Sequence, residues 1–478
     1  MSVEDFVYPI LKRYMAAPQW LKSSVGGVYR ALPARIRLGS RYRAFTEELM
    51  VRDAGEIVLR ANEKLLRTLR WAIQTVPAYY EYRPLLSENL PVSELLNLIR
   101  PVSKDEIKAD TERFLSTALP TRSRMAMFTG GSTAAPMRFF LQRHVSRPKE
   151  SAYVDECFRL AGLESGDVVL SLRGRTVATA GTVGGRLWMY EPIKRHLMLS
   201  TDHLEPRFMP GYLEALRQWR PVFIHAFPSA LYPLARWLRD NPAPDVAGRI
   251  KGVLLTSENV YDYQMDLFRS VFTCPVIKHY GHSERVLMAI SMPDDDRYYF
   301  WPLYGKFELV DFSGRPINEP GVVGEIVGTG FDNEVMPFIR YRTGDFAVLS
   351  DRFHPLLPGS VSCERIEGRL QEFVVCRDNR LISITTLGAA HFEDLAAVDA
   401  IQFEQSEPGR LVLKVVMPAE LKPHDIQRIV RAVEQKTQGG CSVEVARVST
   451  IERTERGKHK MLVQYLDISG FMGASALE

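Results

Sequence analysis

The chain has 478 residues, 46% of them hydrophobic and 25% charged, ordinary proportions for a folded protein of two to four domains at about 150 residues each. A net charge of +4 is too small to call for nucleic acid, and no apolar run reaches the roughly 18 residues of a membrane span. Cys157, Cys274, Cys363, Cys376 and Cys441 lie far apart with no CxxC, which argues against a zinc site or a disulfide framework and for a reducing, cytoplasmic setting.

Residues 1–45 carry eight Lys or Arg against Glu4 and Asp5, with Trp20, Leu21 and several Tyr among them. The favoured reading is a helical cap with a basic outer face; peripheral contact with an anionic membrane surface is the competing one. Residues 46–100 read as helix, with apolar residues at three-to-four spacing that stop near Pro77. Then comes MFTGGSTAAPMRFFL, residues 127–141, whose small hydroxyl-rich run makes a loop. Thr129, Gly130, Gly131, Ser132 and Thr133 offer hydroxyls and unhindered amides to a polyphosphate, although no lysine sits where a Walker A loop needs one. A plain turn is the alternative.

From residue 150 strands and helices alternate. DVVLSLRG, PVFIHAF, RIKGVLLTSEN and CPVIKHYG read as strands, with YLEALRQW, SALYPLARWLRD and YQMDLFRSVF as the helices among them. This pace predicts a largely parallel sheet covered by helices. AFPS, SEN and YGHSE each follow a strand, and ligands in such sheets bind beyond the carboxyl ends of strands. Residues 300–350 read as a smaller β-rich subdomain, and the segment from about 370 as an α+β unit of about 110 residues.

In YGHSERVLM, Glu284 suits Mg²⁺, which is held by one or two carboxylates plus phosphate oxygens. In MPFIRYRTGDF, Asp345 follows Gly344 in an expected tight turn and suits the two hydroxyls of a ribose. In ERIEGRLQEF, Gly368 permits unusual backbone angles, Arg369 suits a ribose or phosphate, and Gln371 suits a pivot. In RTERGKHKML, Lys458 supplies an ammonium for charge developing at phosphorus. Each has a bland counterpart: a surface Glu, a hairpin turn, a linker, a solvated basic tail.

The order of these segments, with MPFIRYRTGD the most specific, resembles the adenylate-forming ligases over residues from about 125 to 460. The opening YPILKRYM, TVPAYY, AFPSAL and the RTERGKHK ending are similar to the phenylacetate–CoA ligase-like branch, particularly its capsule-biosynthesis-type members. The resemblance implies an α/β fold: an adenylation domain over 1–368, with parallel α/β sheets, a small β subdomain and a helical region over 1–100, then a mobile α+β lid over 369–478. It implies that Thr129, Ser132 and Thr133, with Gly130 and Gly131, contact the ATP phosphates. Ser257, Glu258, Tyr280 and Gly281 would border the adenine. Glu284 would bind Mg²⁺, Asp345 and Arg369 the ribose. Gln371 would be the hinge, Lys458 the catalytic lysine, and His225 and Phe227 part of the acyl pocket. The implied cofactors are ATP and Mg²⁺, with a small carboxylic acid as substrate and coenzyme A or an amine as acceptor, in polysaccharide, cell-surface or secondary metabolism. Ala134 stands where the family usually has Gly, and Gln371 where Asp or Lys is usual. These departures support the alternative, a non-catalytic nucleotide-binding homologue.

Overall fold

The computed structural model describes residues 21, 24–27, 29, 34–37, 39–129, 137–164, 166–173, 187–201, 203–384, 387, 400–417, 422–451 and 460–471. Its body is one twelve-stranded sheet. Strands β3 (Val169–Leu172), β6 (Phe223–Ala226), β7 (Gly252–Thr256) and β8 (Val276–Gly281) run parallel, with β5 (His196–Leu199) parallel to β3 on the outer side and β4 (Trp188–Glu191) antiparallel at the edge. The inner strands are short and almost wholly apolar because both faces are covered. Helices Met209–Trp219, Pro228–Asp240 and Asp262–Phe272 pack one face, and helices Gly39–Glu48 and Ser146–Leu160 the other.

The β-rich segment expected over residues 300–350 is continuous with this sheet. Strands β9 (Met288–Met292), β10 (Asp295–Phe300), β11 (Gly305–Val310), β12 (Val323–Gly330), β13 (Tyr341–Ser350) and β14 (Val361–Arg369) extend the same sheet antiparallel, in the order β8-β9-β10-β14-β13-β12-β11. The twenty-two-residue helix Ala54–Thr75 buries Leu65, Leu69, Ala72 and Ile73 in the core of this half. The helix expected over 46–100 is broken on both sides of that segment. Asp53 leaves helical geometry and accepts the Glu56 N–H at 2.7 Å, starting a new helix, and the chain leaves it at Val76 before Pro77. A short hairpin, β1 (Arg124–Phe128) with β2 (Arg138–Gln142), flanks the Gly- and Ser-rich loop. No helix of the described residues is long and apolar enough to cross a membrane.

After β14 the chain leaves the large sheet. The hairpin β15 (Phe373–Val375) and β16 (Leu381–Ser383) is followed by a four-stranded sheet of β17 (Ala400–Glu407), β18 (Arg410–Val416), β19 (Ser442–Val448) and β20 (Leu462–Gln464), with helix Pro423–Lys436. Buried Gln405 ties the two: its amide accepts the Val375 N–H and donates to the Val375 carbonyl, both at 2.8 Å. The boundary expected between 368 and 369 falls within β14, whose last residue, Arg369, still pairs with Asp345. Cys376 and Cys441, distant in sequence, place their thiols 3.7 Å apart in this unit, and all five cysteines are free.

Candidate functional site

Asp345 does not sit in a turn. It lies inside β13, where the positive φ of Gly344 (+75°) and irregular register with β12 and β14 re-aim the strand. The Tyr280 hydroxyl, at the end of β8, donates to Asp345 Oδ2 at 2.9 Å. Arg369 Nε, at the end of β14, lies 3.4 Å from Asp345 Oδ1. Burial, then the Asp345 carboxylate, pushes the Tyr280 phenol well above its ordinary value, so it is a donor throughout the physiological range.

Glu284 is held from the same strand. Tyr341, the first residue of β13, donates its hydroxyl to Glu284 Oε1 at 2.9 Å. Burial and then Glu284 raise that phenol as well. His282 lies between the two tyrosines, its ring centroid 6.0 Å from Tyr280 and 6.4 Å from Tyr341. Its Nε2 accepts the Val286 N–H at 3.4 Å, and its Nδ1 is buried with no hydrogen-bond partner. Glu284 and Asp345, far apart in sequence, are thus tied into one cluster by a pair of tyrosine bonds.

One member of this cluster was not singled out from the sequence. Lys104 opens helix Lys104–Ala109, which Ser103 and Glu106 start with a reciprocal capping box. The preceding Val102 pairs with β13 on both sides, its N–H to the Arg340 carbonyl and its carbonyl to the Arg342 N–H, each at 2.9 Å. The ammonium therefore lies within the fields of Glu284 and Arg369. Burial lowers its proton affinity, Glu284 raises it and Arg369 lowers it further. The capping box S-x-x-E was legible, but the pairing of Val102 beside β13 that brings this helix start to the cluster's strand is a tertiary fact.

The remaining expected residues divide. Thr129 is buried and closes the neck of the loop: its N–H donates to the Met137 carbonyl at 3.0 Å, and its hydroxyl accepts the Met137 N–H at 2.9 Å. Gly130, Gly131, Ser132, Thr133 and Ala134 lie outside the described residues, as does Lys458. Ser257 follows β7 with φ +66°, a strained setting for a non-glycine residue. Glu258 is anchored to the start of helix Pro228–Asp240, where it accepts the Ser229 N–H and hydroxyl, each at 3.0 Å. Gly281 ends β8 against the His279 ring, whose Cε1 a Cβ would meet at 3.0 Å. His225 and Phe227 do not form one wall. His225 faces Phe158, while the turn into the helix at Pro228 sends Phe227 against the core on the opposite face of the sheet.

Gln371 is exposed, in the single turn Leu370–Glu372 between β14 and β15. On either side of it the chain is tightly held. Gly368 has φ +92°, and a Cβ there would lie 1.8 Å from Glu372 Oε2 and 2.6 Å from Asn259 Nδ2. Asn259 donates to Glu372 Oε2 at 2.9 Å. Any rotation about Gln371 that carries Glu372 away from β7 must break this bond. Asn259→Ala is expected to cost about 1–2 kcal/mol of stability, read from the denaturant midpoint; an unchanged midpoint excludes the bond as a tie between these segments.

Among the described residues no group of three or more His, Cys, Asp or Glu could hold a metal ion. A Mg²⁺ held by one carboxylate and the substrate's own phosphates needs no such group, and Glu284 has a second oxygen to offer it.

No family model matches the chain. Over 407 residues, 83% of this chain and 87% of the relative, the sequence is 22% identical to Protein CapK of Staphylococcus aureus. The fold is similar to that of 2-hydroxyisobutyryl-CoA ligase in the postadenylation state in complex with 2-HIB-AMP, with a TM-score of 0.64 at 16% identity over 86% of this chain and 90% of that one. Against the same ligase with 2-HIB-AMP and CoA in the thioesterification state the TM-score is 0.52, at 16% identity over 87% and 91% of the two chains. The anthranilate CoA ligase AuaEII in complex with anthranoyl-AMP gives 0.50, at 14% identity over 79% and 75%. The adenylate-forming fold and the capsule-type resemblance expected from the motifs are both borne out.

Proposed function

We propose that this chain, built on the adenylate-forming fold, activates a small carboxylic acid with ATP as an acyl-adenylate and then passes the acyl group to coenzyme A or an amine. The observation that carries this reading is the single cluster formed by Glu284, Asp345, Tyr280, Tyr341, Lys104 and Arg369 at the C-terminal end of β8 and along β13 and β14. It contains an anionic site for the ribose hydroxyls, a buried carboxylate suited to Mg²⁺, and two cations.

In the first step the substrate carboxylate attacks the α-phosphorus of ATP and pyrophosphate leaves. Two anions must approach, so positive charge fixed beforehand is what lowers the barrier. Asp345 with Arg369 would fix the ribose, and Tyr280 would hold Asp345 in place. Glu284 would hold Mg²⁺, which when bound neutralises phosphate charge. Lys104, beside Glu284, would neutralise phosphate charge from the body of the protein, and Lys458 from the C-terminal unit. Rotation about Gln371 would then exchange Lys458 for the acceptor. The proposed setting is the cytoplasm, in modification of a sugar or surface polymer or in secondary metabolism.

ATP–pyrophosphate exchange across a panel of carboxylic acids tests the first step, and mass spectrometry of products formed with coenzyme A or amines identifies the second. Absence of exchange with every acid, alongside measurable ATP binding, would favour the non-catalytic reading. Lys104→Met is expected to lower kcat/KM for ATP about tenfold, the effect of removing one partly solvated cation. Wild-type kinetics in this variant would place Lys104 outside the phosphate site.

A further inference from the structure

One face of β3, β6, β7 and β8 carries a polar layer in an otherwise apolar wall. Phe223, Val169, Leu254 and Ile277 on this face belong to the core beneath helix Ser146–Leu160. Side chains alternate along a strand, so two residues further on the same face presents Ser171, His225, Thr256 and His279. Register staggers the layer: Ser171 pairs with His225, which pairs with Leu254, and Thr256 pairs with His279 two residues further along the same face. All four lie toward the carboxyl ends of parallel strands, the end that also bears Tyr280 and Glu284.

Two nitrogens in this layer are stranded. His225 is 6% exposed, its ring edge-on to Phe158 at 5.1 Å, and its Nδ1 is buried without a hydrogen-bond partner. The Nδ1 of His279 lies 3.1 Å from the Thr256 hydroxyl, and its Nε2 is buried without a partner. Buried polar atoms are nearly always paired, and an orphan is costly. Neither ring supports itself by becoming an ion. Burial first, then the charges of Arg173, His196, His279 and Lys194, hold His225 well below its ordinary value, and burial lowers His279 too. A neutral imidazole does not attract an anion; it offers one donor and one acceptor. The group that answers either is a neutral hydroxyl, which both donates and accepts.

We infer that His225 and His279 form the polar wall of the acyl pocket and select a carboxylic acid that carries a hydroxyl group, rejecting its hydrocarbon counterpart. This rests on the ligase reading above and names its substrate class. Discrimination of this kind is strong because the analogue lacking the hydroxyl leaves the site's buried nitrogens unpaired, whereas an apolar pocket barely distinguishes the two.

The test is ATP–pyrophosphate exchange with matched pairs of acids: lactic against propionic, salicylic against benzoic, para-coumaric against cinnamic. The full-length protein is expected to favour the hydroxylated member of at least one pair about ten- to hundredfold in kcat/KM. His225→Leu should bring that ratio to within about threefold, chiefly by slowing the hydroxylated acid. His225→Asn, which keeps a hydrogen-bonding atom near the position of Nδ1, should retain the preference and also controls for loss of fold. His279→Leu should act in the same direction as His225→Leu. Exchange with no preference for the hydroxylated member of any pair overturns the inference and leaves the ligase reading standing, as does a ratio that His225→Leu does not change. Exchange with no acid at all removes both.

Discussion

Replacing Asp345 by alanine is expected to weaken ATP binding about a hundredfold. On the proposed placing of the nucleotide, two hydrogen bonds from the ribose hydroxyls to this carboxylate would be lost, and a charged acceptor makes each worth about 1.5–3 kcal/mol. The lower end of that range, doubled and reduced by water that refills the site, corresponds to about two powers of ten in affinity. Asp345 also receives the Tyr280 hydroxyl, and Arg369 stands beside it. Tyr280→Phe should therefore reproduce a fraction of the loss, about three- to tenfold, because the carboxylate stays but loses its orienting donor. Asp345→Asn should fall between, retaining one acceptor of the two. Calorimetric titration with ATP checks all three. Equal affinity in wild type and Asp345→Ala would remove this residue from the nucleotide site and with it the role assigned to β13.

What the sequence reveals and what it hides follow from how local each feature is. The parallel strands were legible because a strand covered on both faces must be largely apolar, as FIHA and GVLLT are but for His225 and Thr256, and because helices of matching length separate them. The continuity of β9 to β14 with that sheet was not, since it depends on β10 pairing with its neighbour β9 on one side and, across a long stretch of chain, with β14 on the other. Asp345 was found by its motif, but its place inside a strand was not, because a positive φ at Gly344 is as compatible with a bulge as with a turn. Glu258, which the resemblance places near the adenine, also accepts the Ser229 N–H at a helix start, a contact that no local pattern foretells. Lys104 carried no signal beyond the S-x-x-E start of its helix, and the meeting of Cys376 with Cys441 carried none, since both placements depend on distant segments. The histidine layer was half visible: His225 lay at a strand end in the sequence, but only the pairing of four strands puts it beside Ser171 and on the same face as Thr256 and His279, which lie two residues further along.

Lys458→Ala is expected to slow adenylate formation about a hundred- to a thousandfold, the usual consequence of removing one group that stabilises charge in the transition state, while leaving transfer from supplied acyl-AMP within about threefold of wild type. The asymmetry follows from the division proposed between body and lid. Asp345, Glu284, Tyr280 and Tyr341 belong to the large sheet and its loops, and their bonds are made among themselves. They need no help from the C-terminal unit to keep hold of an adenylate once it exists. Lys458 is separated from them in sequence by Gln371, which sits exposed in a one-turn link between two sheets that share no strand. An ammonium carried on such a unit serves attack on phosphorus, where charge accumulates, and has no comparable task when a thiol or amine displaces AMP. Mixing acyl-AMP with coenzyme A in a single-turnover experiment separates the steps, and Lys458→Arg adds a second reading. Arginine keeps the charge but spreads it over a planar fork, so partial recovery of adenylation would show that charge alone is not sufficient. Equal loss of both half-reactions in Lys458→Ala would mean that one arrangement of the two units performs both, and the pivot at Gln371 would have no catalytic purpose.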